Sequence, residues 1–267
     1  VTELPNNFEM ALQRLVNTEK RLQKDTIVKD DYCQTISRYV NNDYIKKLDR
    51  KEAKEHSWFL PHFPIVHLKK ATTRTRIVFD ASATYQKVSL NQMIHQGPKL
   101  QRDMMDVLLR FRKNPVALVC DIAEMYLQIR IHPTDRKYFR FLWRNCDTNE
   151  PADIYEFTRV VFGINCSPFL AQLVIQHHAA EFQNEFKMAA ETIMKSTYMD
   201  DSLDSTEESV QGIELYKQLS QLLKLAGMHT HEWSSNCDKV LACIPAEDRA
   251  DGIEIDGNRI EGAKTLG

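Results

Sequence analysis

The stretch "NPVALVCDIAEMY", residues 114–126, constrains this chain more than any other. Pro115 ends whatever precedes it, Val116–Cys120 is a short continuous apolar run, and Asp121 closes that run. A run apolar at every position, rather than at alternate ones, is the pattern of a central strand covered on both faces. It calls for a buried place in the middle of a sheet, and it delivers a carboxylate to the strand's end. An isolated carboxylate there is expensive to desolvate, so Asp121 calls either for a cation or for a following turn that it caps.

The rest of the chain supplies the layers. Residues 1–55 read mainly as helix, with Phe8, Ala11, Leu12, Leu15 and Val16 at helical spacing. At "SWFLPHFPIVHL" the texture becomes aromatic, proline-broken and β-rich, which divides the chain into a helical lead-in (1–55), a mixed region (56–235) and its continuation (236–267). A helix is predicted over 99–112, with Leu100, Met104, Val107, Leu108 and Phe111 on one face. Leu127, Ile129 and Ile131 alternate with Gln128, Arg130 and His132, which predicts a second strand, and "YEFTRVVFG" predicts another. In "CSPFLAQLVIQHHAAEF" Ser167 is placed to cap, Pro168 to open the helix, and Leu170, Leu173, Val174 and His177 to line its buried face. A last helix is expected from a capping box, Ser205 to Glu208, to Gly227, with Val210, Ile213, Tyr216, Leu219 and Leu223 on one side. Helices mixed with antiparallel strands make the class α+β.

Composition narrows the function classes. With 43% hydrophobic and 27% charged residues the chain is of ordinary globular type. No apolar run approaches the roughly 18 residues that cross a bilayer, so no membrane partner is expected. Six cysteines without C-x-x-C spacing read as reduced thiols of an intracellular protein. A net charge of −2 carries no global signature for nucleic acid, so any basic surface must be local. The densest candidate is "HLKKATTRTR", where Lys69, Lys70, Arg74 and Arg76 form either a solvated edge or a phosphate-binding patch. A first residue other than Met and an end at "EGAKTLG" suggest a piece of a longer protein.

The second acidic feature is "KSTYMDDSLDS", residues 195–205. Neighbouring side chains on a strand point to opposite faces, so Asp200 and Asp201 can approach one site only where the backbone turns sharply, as at a hairpin tip. The bland reading is a solvated Asp-Asp turn. Combined with Asp121, the pair gives three carboxylates at the ends of neighbouring strands without a Cys or His cluster, a hard oxygen donor set suited to Mg2+ or Mn2+. Two such ions about 4 Å apart clamp the attacking and leaving oxygens of phosphoryl transfer.

In order, "RIVFDAS", "CDIAEMY", "FGINCSPFLAQ", "YMDD" and "LAGMHTHEWSSN" resemble the successive blocks of reverse transcriptases, most closely those of Bel/Pao-type LTR retrotransposons. "WFLPHFPI", "SLNQMIHQGPKL" and "VLLRFRKNPVAL" resemble the same lineage, extending the likeness over residues 56–235. The resemblance implies a fingers-and-palm fold, with an antiparallel palm sheet backed by helices, and RNA-directed DNA polymerisation. By that likeness Asp121 and Asp200 are the principal ligands of two Mg2+ or Mn2+ ions, with Asp201 and the Ile122 carbonyl as further ones. Tyr126 corresponds to the steric gate against a ribose 2′-hydroxyl. Arg76 pairs with Asp80 in the fingers and, with Lys69 or Lys70, holds the dNTP triphosphate. Phe162, Gly163 and Gln172 support the template base and the dNTP. The implied partners are an RNA or DNA primer-template, dNTPs and the protease, RNase H and integrase of a Pol polyprotein, in a cytoplasmic particle or the nucleus.

Two positions depart from the family's pattern: Glu232 stands where a lysine usually precedes the tryptophan, and Val161 replaces a proline. The departure at Glu232 keeps open a catalytically silent or co-opted nucleic-acid-binding module. A metal-dependent phosphodiesterase could use the same acids, but it leaves Tyr126 and the basic run without a role.

Overall fold

In the computed structural model the described residues are 4–49, 58–66 and 75–250. In chain order they form α1 (Phe8–Leu22), α2 (Thr26–Asn41), β1 (Ile45–Leu48), β2 (His62–Val66), β3 (Thr75–Phe79), α3 (Leu90–Met93), α4 (Met104–Phe111), β4 (Val116–Ile122) and α5 (Met125–Gln128). Then follow β5 (Arg140–Trp143), β6 (Asp153–Phe157), α6 (Ser167–Glu181), α7 (Lys187–Lys195), β7 (Thr197–Tyr198), β8 (Asp201–Thr206), α8 (Ser209–Leu225), β9 (Thr230–Ser235) and α9 (Asp238–Leu241). The strands pair antiparallel as β1-β6-β5, β2-β3 and β7-β8-β4-β9, so the α+β class expected from the pattern is the one observed.

These elements divide into two compact units, Val1–Gly97 with Ile129–Ser167, and Pro98–Gln128 with Pro168–Gly267. The division at residue 55 drawn from texture does not coincide with this one, because the N-terminal helices are part of the first unit's core. There α1 packs on β2 and β5, and α2 packs on β3. Phe79, Phe141 and Phe157 meet with ring centroids 4.7–5.3 Å apart. Asn7 fastens the helix start to Phe59, donating to its carbonyl at 2.8 Å and accepting from its N–H at 2.7 Å. Glu19, wholly buried on α1, is answered by a two-pronged bond from Arg144 at 2.8 and 2.6 Å, the pairing a buried charge requires.

In the second unit β4 is the central strand, with β8 on one side and β9 on the other. Leu118, Cys120 and Ile122 point into the core, while Ala117, Val119 and Asp121 are partly exposed. The covered strand inferred from Val116–Cys120 is therefore present, but its two faces are not equally buried. Helices α4, α7 and α8 pack against the same sheet. Among the described residues no helix is long and apolar enough to cross a membrane.

Several local expectations are corrected. Residues 127–132 do not form a strand: after β4 the chain turns at Ala123–Glu124, makes the single helical turn α5, and keeps only an isolated bridge, Arg130 to Arg159. The alternation that suggested a strand survives as burial, with Ile129 and Ile131 inside. Helix α4 starts at Met104 rather than 99 because the Asp103 carboxylate caps it, accepting from the Met105 N–H at 2.8 Å. The "YEFTRVVFG" strand ends at Phe157. Helix α6 buries Ala171, Gln172, Ile175 and Ala179 and leaves Leu173 and Val174 at 44% and 37% exposure, so its inward face is the small one. Ser167 does not cap it but donates to the Val161 carbonyl at 2.7 Å. Helix α8 is capped by Glu208 and Gln211, whose side-chain oxygen accepts from the Glu208 N–H at 3.1 Å, because Ser205 is still in β8 and donates to the Arg110 carbonyl. Its buried line is Gly212, Leu215, Leu219, Leu222 and Leu223; Val210 is exposed. The helix runs to Leu225, two residues short of the expected Gly227, which follows the Ala226 cap in the left-handed conformation (φ 72°), with the Met228 N–H returning to the Leu223 carbonyl at 2.9 Å.

Candidate active site

The antiparallel register of β4 and β8 sets Asp121 directly opposite Asp201. Directly opposed side chains share a face, and here it is the face away from Cys120 and Ile122. The β7–β8 hairpin closes with Tyr198 opposite Asp201, leaving Met199 and Asp200 as its two tip residues. The doublet therefore sits at a hairpin tip as inferred, with Asp200 in the turn and Asp201 opening the strand. The Asp200 carbonyl accepts from the Ile122 N–H at 2.9 Å, tying the tip to the end of β4.

Met199 carries the turn in a left-handed conformation (φ 58°) that is uncommon outside glycine. Two glutamines hold it. Buried Gln172 on α6 donates to the Met199 carbonyl at 2.9 Å, and the Gln101 amide contacts the Met199 sulfur. Gln176 steadies Gln172, donating to its Oε1 at 3.3 Å and to the Leu100 carbonyl at 3.2 Å.

The electrostatics are those of crowded acids. Burial pushes the Asp201 carboxyl up to about 6, helped by Asp200, Asp121 and Glu232. Asp121 is not buried: its side chain is 26% exposed, so the desolvation cost inferred from sequence is only partly incurred. Its Oδ2 accepts from His231 Nε2 on β9 at 2.7 Å, and this bond raises the His231 pKa. Tyr126 is buried on α5, and burial with the nearby Asp200 pushes its phenol up to about 12, so it stays neutral.

Among the described residues no three His, Cys, Asp or Glu side chains form a ready-made metal-binding group. The acids nevertheless fit a hard divalent ion in kind: they are oxygen donors, two of them face each other, and their mutual repulsion is what a cation would relieve.

Asp121, Ile122, Tyr126, Gln172, Asp200 and Asp201 all lie in the second unit, while Arg76, Phe162 and Gly163 lie in the first. Arg76 is exposed on β3, opposite Ile65. Asp80 accepts from the Ser82 N–H at 3.0 Å, shaping the turn after β3. Phe162 is 54% exposed. Gly163 has φ 99°, and a Cβ there would stand 2.2 Å from the Phe79 carbonyl oxygen, so only glycine fits. Its own carbonyl accepts from Asn91 Nδ2 at 3.0 Å, and Asn165 bonds Asn91 at 2.9 and 2.6 Å. Lys69, Lys70 and Arg74 lie outside the described residues. Sequence reasoning did not single out His231, Asn91 or Asn165; of these only His231 had a visible signal, its place beside the departure at Glu232.

The chain matches the family described as reverse transcriptase (RNA-dependent DNA polymerase) over residues 31–233. It is 24% identical over 166 residues to the Gag-Pro-Pol polyprotein of Mason-Pfizer monkey virus, covering 62% of this chain and 9% of that one. It is 23% identical over 165 residues to the intracisternal A-particle Pol-related polyprotein of mouse intracisternal a-particle MIA14, covering 62% of this chain and 18% of that one. The chain thus spans less than a fifth of the curated relatives it matches. In fold it is similar to the prototype foamy virus protease-reverse transcriptase, with a TM-score of 0.58, 17% identity, and coverage of 77% of this chain and 24% of that one. The foamy viral enzyme solved in complex with double-stranded DNA gives 0.54 at 16% identity, over 72% of this chain and 28% of that one. With the family match running over more than half its length, this chain belongs to the reverse transcriptase (RNA-dependent DNA polymerase) family.

Proposed function

We propose that this chain is the fingers and palm of an RNA-directed DNA polymerase, cut from a Bel/Pao-type retrotransposon Pol polyprotein, with residues 56–235 as that core and 236–267 leading into the next region. The single observation that carries the reading is the meeting of Asp121 with the Tyr198-Met199-Asp200-Asp201 hairpin in register. Asp121, Asp200 and Asp201, with the Ile122 carbonyl, would hold two Mg2+ or Mn2+ ions. Bound there, the metal supplies a more acidic primer 3′-hydroxyl and charge neutralisation at the dNTP α-phosphate.

The side chains do the rest. Tyr126, neutral and buried, closes the space a ribose 2′-hydroxyl would need. Gln172 holds the hairpin tip through the Met199 carbonyl, so its support of the dNTP runs through the backbone it fixes. Gly163 lets the chain pass close to Phe79 and leaves Phe162 exposed for a template base. Arg76, with Lys69 or Lys70, supplies cationic donors to the triphosphate. Protease, RNase H and integrase parts of the same polyprotein, and an intracellular particle or nucleus as the place of action, follow from the lineage.

The test is primer extension on poly(rA)/oligo(dT) with Mg2+ or Mn2+, using a longer protein that includes this chain. Incorporation that Asp200→Asn abolishes is the expected result; background incorporation unchanged by Asp200→Asn would sink the reading. Glu232, standing where the lineage keeps a lysine, favours a second reading, a nucleic-acid-binding module that has lost catalysis. Salt-sensitive RNA binding without incorporation would select it.

A further inference from the structure

The strand β4 is flanked at Asp121 by two different neighbours on one face: Asp201 from β8 and His231 from β9. They act in opposite senses. Asp201 adds a like charge, whereas His231 presents Nε2 to the Asp121 Oδ2 at 2.7 Å. A carboxylate only accepts, so Nε2 carries the hydrogen and donates it.

How His231 reaches that place is visible in the register. Near the middle of the ladder Leu118 is opposite Ser235 and Val119 opposite Ser234. Continued regularly, that pairing would bring Glu232 opposite Asp121, the least favourable partner for a carboxylate. Instead the ladder shifts by one residue between Val119 and Asp121, and beyond the shift Asp121 faces His231 and Ile122 faces Thr230. The extra residue is Glu232, in a left-handed conformation (φ 51°). The burial agrees: Thr230 and Trp233, three apart, both point inward, and Glu232 between them is exposed. A bulge of this kind re-aims one side chain, and such bulges gather beside functional sites.

We propose that His231, delivered by the bulge at Glu232, is a positioning residue that holds the Asp121 carboxylate by one oxygen and leaves the other free for a divalent cation. The proposal rests on Asp121 being a metal ligand. A ligating carboxylate fixed by an outer hydrogen bond loses less freedom on binding, and removal of such partners typically weakens metal affinity about 10- to 100-fold. The same bulge keeps Glu232 from standing directly opposite Asp121, where its carboxylate would add another like charge to the pair with Asp201.

The experiment is a Mn2+ titration of the full chain followed by electron paramagnetic resonance, with the Mn2+ dependence of primer extension measured beside it. His231→Gln retains an N–H donor of similar reach and is expected to bind within about threefold of the native chain. His231→Leu is expected to bind about tenfold more weakly or worse. In extension assays the Mn2+ midpoint should rise for His231→Leu while the rate at saturating metal recovers. A purely structural role would instead lower the rate at every metal concentration without moving the midpoint, and that result overturns the proposal. Should His231→Leu fail to fold, His231→Ala takes its place, and an affinity in His231→Ala equal to that of His231→Gln overturns the proposal just as well. Asp121→Asn separates the two ideas. Loss of Mn2+ binding in that variant with native binding in His231→Leu removes the positioning role alone, while unchanged binding in Asp121→Asn removes the metal-ligand reading beneath it.

Discussion

Asp121 and Asp201 stand directly opposite each other across the β4–β8 ladder, two carboxylates on one face of a sheet. Like charges in that relation destabilise a sheet, and the effect is visible in Asp201, whose carboxyl is pushed up to about 6 by burial and by Asp200, Asp121 and Glu232. A group whose folded pKa lies above its unfolded value opposes folding once the pH passes the folded pKa. Asp201→Asn should therefore raise stability at neutral pH, by about 1 kcal/mol after allowing for partial exposure, as a shift in urea midpoint. The same substitution should lower incorporation yet leave residual activity. The charged form of Asp201 is disfavoured by burial, which suits a supporting ligand. Asp121→Asn and Asp200→Asn should abolish incorporation. Equal tolerance of Asp200→Asn and Asp201→Asn would reduce the doublet to a solvated turn.

Tyr126 lies five positions after Asp121, buried on α5 with its phenol held neutral near Asp200. In the steric-gate role proposed for it, selectivity for deoxynucleotides would reside in ring volume, and the hydroxyl would be expendable. Tyr126→Phe should keep the preference for dNTP over rNTP. Tyr126→Ala should relax it by about 10- to 100-fold, the discrimination that a few atoms of pocket volume provide. The measurement is the ratio of single-nucleotide incorporation efficiencies, and an unchanged ratio in Tyr126→Ala would leave the ring a core aromatic only.

Gly163 is a different kind of constraint. Its φ of 99° and the Phe79 carbonyl oxygen 2.2 Å from where a Cβ would stand are two independent penalties. Gly163→Ala should cost at least about 2 kcal/mol of unfolding free energy, because the neighbour is backbone and cannot rotate away. A urea midpoint within error of the native one would show that this loop rearranges cheaply.

What the sequence made legible follows from which forces are local. The apolar run Val116–Cys120 and the acid that ends it are local facts, and both the central strand and the place of Asp121 were readable from them. The hairpin tip was readable because two adjacent acids on a strand need a turn to converge. Helix α6 was misread on its inward face because Leu173 and Val174 outrank Ala171 and Ala179 in hydrophobicity, whereas close packing selected the small side chains. The strand expected over 127–132 failed for a related reason: alternation reports burial, and burial can alternate without a ladder. His231 was out of reach because its position depends on a one-residue bulge in the pairing of strands more than a hundred residues apart in sequence. Nothing within β9 alone announces that shift.

His62 gives the first unit a pH-dependent contribution to its stability. Its ring is fully enclosed, Nε2 donates to the Leu142 carbonyl at 2.8 Å, and Nδ1 therefore accepts from the Tyr32 hydroxyl, whose own ionisation burial suppresses. Both nitrogens are thus satisfied in the neutral ring, and the enclosing apolar side chains disfavour the charged one. Burial accordingly lowers the His62 pKa from 6.5 to about 4, with the Leu142 bond opposing in part. In the unfolded chain the ring takes up its proton near 6.5, so between there and about 4 the unfolded state binds more protons than the folded one. Stability contributed by the neutral ring is thus complete above pH 6.5 and lost as the pH falls toward 4, with a slope of up to about 1.4 kcal/mol per pH unit. Urea unfolding at pH 7, 6 and 5 should show this loss in the native chain. In His62→Gln the stability at pH 7 should be lower but the additional loss across the window should be gone. A difference between the two proteins that stays constant from pH 7 to 5 would mean that the ring is already solvated enough to protonate where it stands.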